Sequence, residues 1–272
     1  MRGYRQRVVR VSVDLPISVA DLARRAATLR ALHVPGNPLL LANVWDVASA
    51  RVVAGLGFPA LATSSHAVAD ALGCSDNDTM APDDAFGVVR RIAAVLEVPL
   101  TADLEAGYQL APKDFVERLL AAGAVGCNLE DTDHHGGGTL VPMEAQAERL
   151  AAVKQAARAE GVDIVINARV DTFVRRGGDA AQQMEEGVRR GRAYLAAGAD
   201  CIYPIVLSGE DRIGEFVQQV AGPVNILFRP GALSVADMKR LNVARLSLAG
   251  SLHQVALAAA KERAEALLAG AL

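Results

Sequence analysis

Eight short apolar runs, each followed by a stretch with helical periodicity, constrain this chain more than any other feature. The runs fall at residues 39–44, 60–63, 99–103, 125–129, 163–168, 200–205, 223–228 and 244–248. They are continuous instead of alternating, as strands of a parallel sheet covered on both faces are. Helices are predicted at 48–54, 82–96, 112–122, 142–159, 180–197, 211–220, 235–241 and 253–268, several opened by proline (Pro82, Pro112, Pro142) or closed by glycine (Gly55, Gly123). Eight strand–helix units in about 230 residues spell an α/β fold of the (β/α)8 kind, the TIM barrel. A doubly wound sheet would place a glycine-rich phosphate turn after its first strand, and Asn43-Val-Trp-Asp46 has no glycine. An extra N-terminal helix, capped by Ser18 and running to about residue 32, carries Leu22, Ala26 and Leu29 on one face and is placed to close the barrel bottom. With no linker or low-complexity stretch, 1–272 reads as one domain, with 1–37 as N-terminal extension and helix and 38–272 as barrel.

Bulk composition narrows the functional classes. Hydrophobic residues make up 51% of the chain but aromatic ones only 4%, which means an aliphatic core of layered helices and strands. A net charge of −3 gives no electrostatic footprint for nucleic acid. No apolar run approaches the roughly 18 residues a membrane span needs. The basic stretch Met1 to Arg10 is not followed by an apolar segment, so it does not read as a secretory signal. Cys74, Cys127 and Cys201 lack CxxC or CxxH spacing and read as reduced thiols of a cytoplasmic protein.

In such a barrel the chemistry gathers where strands end and loops begin. Those junctions carry Asn43, Trp45 and Asp46; Ser64, Ser65 and His66; Asp103 and Glu105; Glu130 and Asp131; Arg169 and Asp171; then Arg229 and Ser247. Acids outnumber bases, which favours a hard cation such as Mg2+, held by a few carboxylates, waters and substrate oxygens. Arg169 is the candidate to hold an anionic substrate, because its planar fork matches a carboxylate or phosphonate. Its competing role is a salt bridge to Glu130 or Asp171. The four lysines (Lys113, Lys154, Lys239, Lys261) all fall in predicted helices or helix starts, which argues against Schiff-base chemistry. The Gly136-Gly-Gly138 run would make the loop after strand four flexible, and His134 or His135 within it could carry a proton near neutral pH.

With these junctions in place, the sequence resembles the isocitrate lyase/phosphoenolpyruvate mutase superfamily from about residue 39 to 257. The stretches that carry the resemblance are Asn43 to Arg51, Ala62-Thr-Ser-Ser-His66, Leu72-Gly-Cys-Ser-Asp76, Asp103-Leu-Glu-Ala-Gly-Tyr108, Asn128-Leu-Glu-Asp131, Asn167-Ala-Arg-Val-Asp171, Arg229-Pro-Gly and Leu246-Ser-Leu-Ala-Gly250. The resemblance implies Mg2+, with Mn2+ as a substitute, held by Asp103 directly and by Asp76, Glu105 and Glu130 through water. It implies that Trp45, Asp46, Ser64, Ser65, His66, Arg169 and Arg229 surround a small carboxylate or phosphonate, with Arg169, Glu130, His134 and His135 as catalytic candidates. It also implies a homo-oligomer, dimer or tetramer, in which the C-terminal helix either exchanges with a neighbour, as family members do, or packs on its own barrel.

Departures from the family bear on the reaction. Isocitrate-type lyases carry a Lys-[Lys/Arg]-Cys-Gly-His loop after strand four, where this chain has Asp131-Thr-Asp-His-His-Gly-Gly-Gly-Thr139. Ile205 replaces the lyases' glutamate at the end of strand six, and the gating-loop lysine and asparagine of phosphonate-cleaving members are absent. The leading expectation is a Mg2+-dependent C–C lyase acting through a metal-stabilised enolate on a small α-oxo- or 2-hydroxy-carboxylate. Phosphonomutase-type P–C chemistry or oxaloacetate-type decarboxylation is the alternative, and a catalytically degenerate ligand-binding barrel is the alternative from another class.

Overall fold

A computed structural model describes residues 17–271 apart from 176, 230 and 232. The predicted extension before residue 17 and Pro230 of the Arg229-Pro-Gly element lie outside these described residues. Eight parallel strands form the barrel: β1 (Leu39–Val44), β2 (Leu61–Thr63), β3 (Leu100–Asp103), β4 (Gly126–Glu130), β7 (Val165–Val170), β8 (Cys201–Pro204), β9 (Asn225–Leu227) and β10 (Arg245–Ser247). Their order, β8-β7-β4-β3-β2-β1-β10-β9, is that of consecutive barrel staves. The ring closes between β8 and β9, where Ile202 and Val224 form a parallel bridge and the Ile202 N–H donates to Pro223 O at 2.9 Å.

The outer helices have local causes. In α2 (Val47–Ala54) and α8 (Ala180–Ala196), Asp46 and Asp179 form capping boxes. Proline opens α4 (Pro82–Ala93) and α5 (Pro112–Ala121), where its missing N–H would have had no partner anyway. The remaining helices of the ring are α6 (Met143–Ala159), α9 (Glu210–Val220) and α10 (Val235–Arg240). Extra helix α1 (Val19–Ala31) closes the bottom of the barrel as expected. Its Arg30 pairs with Asp200 at 2.7 Å and donates to the Asp163 carbonyl, both at strand starts. Leu29 packs against Gly126, where a Cβ would meet it at only 2.8 Å.

Three elements were not anticipated from sequence. Helix α3 (Ser65–Leu72) starts directly after β2, capped by Ser64 and ended by Gly73 at φ 71°. A two-stranded hairpin, β5 (Thr132–Asp133) with β6 (Thr139–Leu140), replaces the open loop after β4, and a single turn, α7 (Thr172–Arg175), follows β7. Strand β7 also runs two residues past the predicted end, so Arg169 lies within it. The last helix, α11 (Ser251–Leu268), buries only His253, leaving Val255 63% and Leu268 89% exposed. Among the described residues no helix is long and apolar enough to cross a membrane.

Candidate active site at the C-terminal ends of the strands

A cavity of about 190 Å3 opens at the C-terminal mouth of the barrel, and its wall includes Ser65, Asp76, Asp103, Asn128, Arg169 and Tyr203. A larger hollow of about 650 Å3 lies outside, between α8 and α9, and shares no residue with the acidic strand ends. The chemistry therefore belongs to the smaller space.

Asp103 ends β3 and is held from two sides. Its Oδ2 accepts from the Ser65 N–H at 3.0 Å and the Ser65 hydroxyl at 3.1 Å, while Oδ1 accepts from Asn128 Nδ2 at 3.0 Å. These bonds use three of the roughly four lone-pair positions a carboxylate offers. Asp103 is thus aimed, with capacity left for one more partner. Ser65, expected to cradle substrate, spends both of its donors on this acid. Ser64 caps α3, its hydroxyl 3.4 Å from the Ala67 N–H.

Glu105 lies just beyond, buried and at φ 52°, a conformation costly for a residue with a side chain. The Asp78 N–H donates to Glu105 Oε2, while Glu105 Oε1 has no hydrogen-bond partner. Asp78 itself is a tie point: its Oδ1 accepts from the Tyr108 N–H at 2.8 Å, and its Oδ2 meets His135 Nε2 at 3.1 Å. The loops after β2, β3 and β4 are joined through this one buried acid.

Arg169 reaches Glu130 Oε2 at 2.5 Å through Nη1, an ion pair without hydrogen-bond alignment, and Asp171 through Nε at 2.6 Å and Nη2 at 3.0 Å. Both partners foreseen for the salt-bridge role are engaged, yet two of its five N–H groups remain and the side chain still lines the cavity. His134 Nε2 bonds Glu130 Oε1. Behind this group, Asp131 accepts from the Asp171 N–H at 2.8 Å, Arg190 Nη1 at 2.9 Å and the Tyr194 hydroxyl at 2.8 Å, fixing the segment that clamps Arg169.

Electrostatics follow from crowding acids in a buried space. Burial pushes Glu105 up to about 8; the Asp78 N–H opposes this, and repulsion from Asp76, Glu130 and Asp103 adds to it. Burial lifts Glu130 to about 7, against the pull of Arg169 and His134. Burial alone would lower His134, but its bond to Glu130 and that group's charge carry it above the usual histidine range. Arg169 is likewise raised, because Glu130 and Asp171 outweigh its desolvation.

A divalent cation fits this donor set. The groups are hard oxygens, Asp103 keeps lone-pair capacity, and buried oxygens on Glu105 (Oε1) and Asp76 (Oδ1) have no hydrogen-bond partner. Among the described residues, no three His, Cys, Asp or Glu side chains gather closely enough to enclose an ion.

The other expected residues sit variously. His66 lines the cavity, 3.7 Å from Asp76. Asp46 caps α2 by accepting from the Ser49 N–H at 2.7 Å, and Trp45 packs edge-on against His253 at 4.8 Å, so neither belongs to the cavity wall. Arg229 is exposed beyond β9, and His134 and His135 stand behind the wall on Glu130 and Asp78. Sequence reasoning missed Asp78, Asn128 and Tyr203. Strand alternation could have found the latter two: Asn128 shares a face with Glu130, and Tyr203 with Ile205.

A parallel eight-strand barrel with carboxylates and an arginine gathered at its C-terminal mouth has the architecture of a TIM-barrel enzyme. The family model for phosphoenolpyruvate phosphomutase matches residues 29–268, and the chain belongs to this family, within the isocitrate lyase/phosphoenolpyruvate mutase superfamily. A crystal structure of a putative phosphonomutase from Burkholderia cenocepacia J2315 superposes with a TM-score of 0.84 at 37% identity, covering 89% of this chain and 99% of that one. Phosphoenolpyruvate phosphomutase of Streptomyces hygroscopicus is 29% identical over 245 residues, 85% of this chain and 76% of that protein. The 2-methylisocitrate lyase of Escherichia coli (strain K12) is 28% identical over 213 residues, 71% of this chain and 69% of that protein. The chain is an enzyme of the carbon–carbon lyase or phosphonomutase kind.

Proposed function

We propose that the protein is a Mg2+-dependent C–C lyase acting on a small α-oxo- or 2-hydroxy-carboxylate. The observation that carries this reading is the convergence of Asp103, Asp76 and Arg169 on one cavity of about 190 Å3, with Glu105 and Glu130 buried beside it. At about 30 Å3 per water, the space corresponds to roughly six waters, room for a small acid and little else. In this reading Asp103 binds the cation directly, and Asp76, Glu105 and Glu130 act through its waters. Bound there, Mg2+ would supply Lewis acidity to offset negative charge developing on the substrate's α-oxygen.

The chain's own residues do the rest. Arg169, locked by Glu130 and Asp171, offers its two remaining N–H groups to a carboxylate. The Tyr203 hydroxyl, buried in the wall without a partner, donates to the same bound anion. Ile205 and Ala249 receive an apolar substituent. His134, held on Glu130 behind the wall, exchanges a proton with that acid, and His135 ties the hairpin to Asp78.

Phosphonate chemistry is the second reading, favoured by the Burkholderia structure. Against it, the cavity wall carries one guanidinium and no lysine to balance a phosphonate together with a carboxylate. Metal-dependent pyruvate release from substituted malates and 2-methylisocitrate supports the lyase; phosphate release from phosphonopyruvate supports the alternative. Mg2+-dependent oxalate binding without turnover of any of these would mark a binding barrel. In this reading the enzyme works in the cytoplasm as a homo-oligomer, an arrangement supported by the exposed apolar residues of α11, which would dock on a second copy.

A further inference from the structure

The lumen below the cavity departs from ordinary barrel packing. TIM-barrel interiors are filled mainly by branched aliphatic residues, yet here a full guanidinium, Arg245 at the start of β10, sits in the lumen at 0% exposure. Among the described residues it pairs with no carboxylate. Its Nε donates to Ser247 Oγ at 3.1 Å, its Nη2 to Asn128 Oδ1 at 3.4 Å, and its Nη1 has no hydrogen-bond partner. An unpaired buried charge of this kind is costly, and an apolar side chain of similar size would pack there more cheaply.

The next link gives the side chain a use. Asn128 Oδ1 also accepts from Asn167 Nδ2 at 2.8 Å, so the oxygen end of this amide faces two donors and its Nδ2 must turn the other way. There it donates to Asp103 Oδ1 at 3.0 Å. We propose that Arg245 is a positioning residue for the cation site, acting through Asn128 to orient Asp103. The proposal rests on the assignment of Asp103 as metal ligand. The amide spacer is the essential part of the device. A guanidinium touching Asp103 would occupy the lone pairs a cation needs, whereas the amide passes on its polarity and leaves one position open.

The test uses the full-length protein and Mn2+ alone, with free Mn2+ followed by electron paramagnetic resonance and thermal midpoints recorded in parallel. Arg245→Met is expected to weaken Mn2+ binding about tenfold or more while its thermal midpoint stays level or rises, since a costly buried charge has gone. Arg245→Lys, which keeps a donor for Asn128 Oδ1, recovers part of that loss. Asn128→Ala weakens binding to a similar degree, and the double variant is no weaker than the worse single one, because both act on one path. A merely structural Arg245 gives the opposite pattern: a lower midpoint with unchanged Mn2+ affinity. Additive losses in the double variant, or unchanged affinity in Asn128→Ala (which decides the matter should Arg245→Met not fold), overturn the proposal. Wild-type protein that binds no Mn2+, or an Asp103→Ala variant that binds it equally well, sinks the metal assignment and the proposal together. Binding lost in Asp103→Ala but intact in Arg245→Met sinks the proposal alone.

Discussion

His33, at the foot of α1, is the cleanest pH probe in the molecule. The ring is 7% exposed, its Nδ1 donates to Leu29 O at 2.8 Å, and its Nε2 has no partner. Burial, helped by the charge of Arg245, lowers it from 6.5 to about 4. The folded state therefore prefers the neutral ring, and stability is fully present above 6.5 and lost as pH falls toward 4. A drop of about 2.5 pH units at 1.36 kcal/mol each is about 3.4 kcal/mol, of which about 3 is lost by pH 4. Urea unfolding of wild type and His33→Asn at a series of pH values from 8 to 4 isolates the effect. The acids common to both proteins cancel, and the wild type should lose about 3 kcal/mol more than the variant. Parallel curves for the two proteins would show that His33 is not held neutral, and the packing of α1 beneath the lumen would need revision. In Arg245→Met the extra loss should shrink, because one of the charges opposing protonation is gone.

Three further outcomes follow from the site. Tyr203→Phe should weaken oxalate binding by about tenfold or more, the worth of a hydrogen bond to a charged group, without lowering the thermal midpoint; unchanged calorimetric affinity would remove Tyr203 from the substrate contacts. Asp131→Asn should destabilise the fold by about 3–5 kcal/mol in urea, since Arg190 and the Asp171 N–H lose a buried charged partner; a loss under about 1 kcal/mol would show that the network behind Arg169 is dispensable. In metal-free protein, Glu105 and Glu130 have raised folded values, so their contribution is fully present below about 4.5, the unfolded carboxylate range, and is lost as pH rises through 7 to 8. Added Mg2+ offsets that loss. The shift in thermal midpoint on adding Mg2+ should accordingly be larger at pH 9 than at pH 5, and an equal shift at both would contradict the site.

Much of the barrel was legible in the chain because its signals are local and long enough to read. Continuous aliphatic runs, first-turn prolines and closing glycines are periodic features that tertiary contacts reinforce. The elements that escaped are short: α3 has 8 residues, α7 has 4, and each strand of the β5–β6 hairpin has 2. Elements of that size take their stability from what they pack on more than from their own pattern. At the site, Asp46 and Asp103 look alike in sequence, an acid at a strand end, yet the first finds its partner three residues on and the second pairs with Ser65 and Asn128 across neighbouring strands. Asp78 escaped because it works through Glu105, Tyr108 and His135, on two other loops. Arg245 gives no signal at all until the ring is closed, since its bond to Asn128 spans 117 residues.

The central claim is that Asp103 holds a divalent cation in the cavity it shares with Arg169. Anomalous diffraction from crystals soaked in Mn2+ and oxalate tests it most directly. The account predicts one strong anomalous peak bonded to Asp103, with oxalate between it and Arg169. A peak elsewhere, or oxalate bound with Asp103 still engaged only by Ser65 and Asn128, would contradict it.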